Sequence, residues 1–140
     1  MFSLVFGISV FAAETKIRVE DAPAPVQKTV QAETKNATLV GLTKEREHGK
    51  LVYELETKRD GKSRDLMIGG DGAILSVEQE VALDSIPAPA KAAIEKRAAG
   101  GKVSKVEEVT EGGKVAYEAA LVVKGKKSEV KFSADGNPVK

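Results

Sequence analysis

The chain has 140 residues, 22 basic against 21 acidic side chains for a net charge of +1, and 41% apolar and 31% charged residues. This suits one ordinary folded domain, and the charge balance gives no general drive toward nucleic acid or an anionic membrane. The absence of cysteine excludes disulfides, thiolate nucleophiles and cysteine-ligated metals, and 4% aromatics with no tryptophan argues against base-stacking platforms and deep aromatic pockets.

Residues 1–13 open the chain with an uncharged, mostly apolar run from Phe2 to Ala13. It is shorter than the roughly 20 residues a membrane span needs. It fits the apolar region of a secretory signal peptide, with Val10 and Ala12 as the small residues before a cleavage point. No Lys or Arg precedes it, so either a basic region lies upstream or the run is a hydrophobic first strand. The abrupt change at Glu14-Thr15-Lys16 favours export.

A first helix is expected to begin near Pro23, with Val26, Val30 and Glu33 at helical spacing and Asn36 as its stop. Four strand-like runs follow: Ala37 to Glu47, Lys50 to Lys58, Ser63 to Gly69, and Ala73 to Val81. In the second run Leu51, Tyr53 and Leu55 share a face. In the third Leu66 and Ile68 do so, and in the fourth Ala73, Leu75 and Val77. His48-Gly49, Asp60-Gly61 and Asp71-Gly72 are turn signals between them. A second helix is expected near Pro87, capped by Asp84 or Ser85. Ile86, Ala90, Ala93, Ile94 and Arg97 keep its period, and Gly100-Gly101 stops it. Strands over Lys102–Thr110, Lys114–Val123 and Lys127–Ser133 come next, with an eighth just starting at Asn137-Pro138.

A constant offset of 64 links the two halves. Pro23-Ala24-Pro25 matches Pro87-Ala88-Pro89, Tyr53-Glu54 matches Tyr117-Glu118, and Asp71-Gly72 matches Asp135-Gly136. The expected fold is therefore α+β, with two tandem repeats over 14–83 and 84–140. Each would be one helix followed by an antiparallel meander of about four strands, the helices packed on one face of a curved sheet. Its other face carries Glu54, Glu56, Lys58, Asp65, Glu118, Glu129 and Lys131, and is expected to look toward water.

Three elements together resemble the PepSY-like domains related to β-lactamase-inhibitor protein. They are the Ile86-Pro87-Ala88-Pro89-Ala90 helix start, the strands Lys50-Leu51-Val52-Tyr53-Glu54 and Lys114-Val115-Ala116-Tyr117-Glu118, and the closing Asp71-Gly72 and Asp135-Gly136 turns. The resemblance covers residues 20 to 140. It implies an extracytoplasmic, periplasmic or secreted bacterial protein that binds without catalysis, its partner being a protease or another exported protein. The chain departs from the pattern at Ala22, where an apolar residue larger than alanine is usual, and at Gly69 and Ser133, where aspartates often stand.

The chemistry-bearing residues point the same way. The one histidine, His48, stands in a turn, and no Gly-x-Ser-x-Gly elbow accompanies it, so no catalytic set is assigned. Asp71 and Asp135 lack the alternating oxygen ligands of a calcium loop, and neither a metal nor a cofactor is expected. Tyr53 and Tyr117 read as core anchors, and Lys124 to Lys127 as a solvated hairpin tip. The candidate protein-binding face is Glu54, Glu56, Asp65, Glu118 and Lys131. The alternative function is a small-ligand or metal-ion binder of the periplasm. Neither nucleic acid nor a stable membrane span after signal cleavage is expected, and the oligomeric state stays open.

Overall fold

The computed structural model describes residues 14–140, so the expected export signal lies outside the described residues. After β1 (Thr15–Lys16), α1 (Ala24–Glu33) leads into β2 (Thr38–Glu47), β3 (Lys50–Arg59), β4 (Lys62–Gly69) and β5 (Ile74–Val81). Then α2 (Ala88–Ala98) precedes β6 (Lys102–Glu111), β7 (Lys114–Val123) and β8 (Lys126–Ser133). Each strand pairs antiparallel with the next, giving one eight-stranded sheet in chain order. The hairpins are tight. His48, Asp60 and Lys124 take positive φ, each followed by a glycine that does the same, the backbone that matches the strand twist.

This overturns the expectation of two tandem helix-plus-meander repeats. Among the described residues the fold is a single continuous antiparallel sheet with two α-helices. β5 pairs with β6 over six residues, from Ser76↔Glu111 to Val81↔Val106. An open β5 edge would leave a row of N–H and C=O groups unpaired, and β6 satisfies them. Three strands, not four, follow α2. The chain end instead turns back along β8: Phe132 bridges to Pro138, and Val139 N–H donates to the Lys131 carbonyl at 2.9 Å.

Both helices lie on one side of the sheet. Under α1, Val26 and Val30 pack with Ala22, Leu42, Tyr53, Leu55, Leu66 and Ile68. Under α2, Ile86, Ala90, Ile94 and Ala98 pack with Val106, Tyr117, Ala119, Leu121, Val130 and Phe132. Glu33 of α1 adds a half-buried ion pair to Arg64 of β4 at 2.8 Å.

Two local expectations change. Neither Asp84 nor Ser85 caps α2; both lie in a 3-10 turn over Leu83–Ser85, and Pro87 occupies the cap position. Asp84 instead pairs with Lys91 at 2.8 Å, and the Ser85 hydroxyl donates to the Ala82 carbonyl at 2.7 Å. Ala73 and Leu75 do not join Val77 on the core face either. A bulge between Met67 and Ile68 sets Ile68 opposite Ile74 and Met67 opposite Ser76, so Leu75 is the extra residue and stays exposed.

The Asp-Gly turns do more than close hairpins. Gly72 has φ +86, and a Cβ there would stand 2.6 Å from the Pro25 carbonyl oxygen. The Thr29 hydroxyl donates to the Gly72 carbonyl at 2.6 Å. Gly136, at φ +82, would meet the Pro89 carbonyl oxygen at 2.7 Å. Each turn is thus pressed against the first turn of a helix, where only a glycine fits.

Candidate functional site

Side chains alternate along a strand, so every residue beside a core residue belongs to the opposite face. On β3, Val52, Glu54, Glu56 and Lys58 alternate with the buried Tyr53, Leu55 and Thr57. The register then lays the helix-free face out in rows. Glu56 stands opposite Asp65, and Asp65 opposite Glu78. Glu80 stands opposite Glu107, Glu107 opposite Glu118, and Glu118 opposite Lys131. Glu54 sits between Thr43 and Met67, and Glu45 opposite Val52.

The five candidate residues therefore share one face, but not the fully wetted one expected. Glu54 and Asp65 are each only 4% exposed, while Glu56, Glu118 and Lys131 are half-buried. Apolar neighbours explain part of this: Val52, Met67, Val109 and Ala116 are buried on the same face. A groove of about 860 Å³ borders it, lined by Met67, Ser76, Glu78, Val109 and Glu118 of this face together with His48, Arg97 and the chain end from Pro138 to Lys140.

Burial disfavours the charged form of a carboxylate, and like charges add to the effect. Burial pushes Glu54 up to about 7, with Glu56, Glu45 and Asp65 adding to the rise. Glu78 is pushed up to about 8 by burial and then by Glu107, Glu118 and Asp65, against an opposing pull from Lys131. Glu118 is pushed up to about 7 by burial and Glu129, with Lys131 and Lys105 opposing. Burial raises Asp65 as well, with Glu56 and Glu107 adding and Lys105 opposing.

Some of these groups are already engaged. Glu80 accepts from the Ser63 N–H at 2.8 Å, and Lys105 lies 3.4 Å from Glu107. Glu56, Asp65 and Glu78 form no ion pair among the described residues, and Glu54 Oε1 is buried without a hydrogen-bond partner. No group of three or more His, Asp or Glu among the described residues is arranged to hold a metal. Asp71 spends its carboxylate on its own turn, accepting from the Ala73 N–H at 3.0 Å. His48 is exposed in the β2–β3 turn and lines the same groove as Glu78 and Glu118.

Sequence reasoning missed Glu78, Glu80 and Glu107. The signal was present: on β5 they alternate with Val77, Gln79 and Val81, and on β6 Glu107 follows Val106. It needed the β5–β6 register to place them beside Asp65 and Glu118.

No family model matches the sequence, and no curated protein matches it. Solved structures share the fold. A DUF2874 family protein from Bacteroides uniformis superposes with a TM-score of 0.68 at 17% identity, covering 85% of this chain and 87% of the other. A "putative periplasmic protein" from Bacteroides eggerthii gives 0.67 at 18%, covering 85% and 86%. A BLIP-like protein from Bacteroides fragilis gives 0.62 at 18%, covering 85% and 84%. The chain thus has a BLIP-like fold. Among the described residues no helix is long and apolar enough to cross a membrane.

Proposed function

We propose that this is an exported, non-enzymatic protein of the PepSY-like type that binds another envelope or extracellular protein through the helix-free face of its sheet. One observation carries the reading. A face spanning β2 to β8 is left uncovered by both helices, yet it bears a groove and buried carboxylates. A sheet face that served only to meet water would carry solvated polar residues and few buried apolar ones. Export is supported by the apolar run of residues 1–13 and by the shared fold with a Bacteroides protein described as periplasmic. The fold shared with a BLIP-like protein supports recognition of a protein rather than catalysis.

The test is capture. A tagged chain beginning at Glu14 is cross-linked in native envelope extract, beside a Glu56→Lys/Glu118→Lys control. One dominant protein, lost in the control, is the expected result. Equal capture by both baits would remove this face as the interface.

A further inference from the structure

We propose that the segment received by this face is cationic, a lysine- or arginine-rich stretch of the partner laid across the strands, with its charged heads between the carboxylate rows. The inference rests on the protein-binding reading above and supplies the chemistry of the partner.

Like charges directly opposite on neighbouring strands are destabilising. This face nevertheless sets Glu56, Asp65 and Glu78 in one row across β3, β4 and β5. It sets Glu80, Glu107 and Glu118 in a second across β5, β6 and β7. On the helix side of the same strands the corresponding pairs are Leu55–Leu66 and Val106–Ala119. Acid-on-acid pairing is confined to the face that no helix covers.

Glu54 is buried, projects to this face, and leaves its Oε1 without a hydrogen-bond partner among the described residues. An orphaned buried acceptor has lost its hydration with nothing in return, so a structure that keeps one gains when a donor arrives. Ammonium and guanidinium groups are donors only, and their long stems can lie along Met67 and Val109 while their heads reach the carboxylates. Lys105 and Lys131, on β6 and β8, pull against the rise at Asp65 and Glu78, but among the described residues no lysine or arginine stands in the Glu56–Asp65–Glu78 row itself.

Occupancy is coupled to protons. Glu54 faces Glu45, Glu56 and Asp65, and Glu78 faces Asp65, Glu107, Glu118 and Lys131. A cation among these groups favours their ionised forms, so binding releases protons and strengthens as pH rises.

The experiment titrates the purified chain with an octa-arginine peptide and with octa-glutamate, following backbone amide shifts by NMR. Octa-arginine is expected to perturb β3 to β7 residues of the helix-free face, and octa-glutamate to leave them in place. Asp65→Asn/Glu78→Gln, an isosteric change, should weaken octa-arginine by about tenfold or more, and Glu95→Gln on the outer side of α2 by less than about twofold. Affinity should rise between about pH 6 and about pH 8.5 and fall with added salt. No binding, equal affinity in the double variant, or a response to calcium alone would overturn the proposal. If a partner protein is then still captured at this face, the protein-binding reading stands and only its cationic chemistry fails. If the partner leaves no footprint there, both fail.

Discussion

At the scale of single residues, two glycines and one glutamate carry the sharpest consequences. Gly72 combines a positive φ with backbone contact against Pro25, and Gly136 repeats the arrangement against Pro89. A left-handed conformation costs a residue with a Cβ about 1–2 kcal/mol before any collision is counted. Gly72→Ala should therefore lower stability by about 2 kcal/mol or more, read as a fall in the urea midpoint, while Gly61→Ala pays the conformational cost alone because nothing lies within 4 Å of its Cβ. Glu78 sets a pH dependence. Its folded-state pKa, about 8, lies above the ordinary 4.5, so between these values the folded chain holds more protons than the unfolded one. Stability contributed by this group is complete below about pH 4.5 and is lost as pH rises through about 8. Thermal melts should give a higher Tm at pH 5 than at pH 8.5, and Glu78→Gln should shrink the difference. An unchanged difference would mean that Glu78 is solvated.

At the scale of elements, the helices hold by a few buried side chains. Ile94 is fully buried between α2 and the sheet, and Ile94→Ala should cost about 2–5 kcal/mol in chemical denaturation. Glu33→Gln breaks the half-buried pair with Arg64 and should cost about 1 kcal/mol, whereas Asp84→Asn, whose carboxylate is exposed, should change little. The elements were also what the sequence showed most clearly. Strict alternation at Lys50–Lys58 and Lys114–Val123 marks strands, Pro at the helix starts and glycines at the turns mark their ends, and Tyr53 and Tyr117 fall in the core as expected. What stayed hidden depends on partners distant in the chain. The bulge beside Ile68 exposes Leu75, and the pairing of β5 with β6 joins the sheet. Alternation alone places Glu54 and Asp65 on the helix-free face, but only the assembled sheet shows them buried there.

At the scale of the whole molecule, one sheet joins two apolar clusters. The β5–β6 ladder should make them unfold together. With no tryptophan, tyrosine fluorescence can report each separately: Tyr53 lies in the cluster under α1 and Tyr117 in the one under α2. Tyr117→Phe and Tyr53→Phe variants should each show a midpoint coincident with that of far-UV circular dichroism on the same variant. Two separate midpoints would show that the ladder does not couple the clusters. The same sheet carries carboxylates of β3, β5 and β7 on one continuous helix-free face.

The most direct measurement is site-specific photo-cross-linking from both sides of that sheet. A photoreactive residue at Ala120 lies on the helix-free face opposite Lys105, and one at Lys96 lies on the exposed side of α2. In envelope extract one partner is expected to cross-link from position 120 and not from position 96, and the cross-link to be lost on Glu118→Lys. Capture of that partner from position 96 alone would place the interface on the helices and contradict its assignment to the helix-free face.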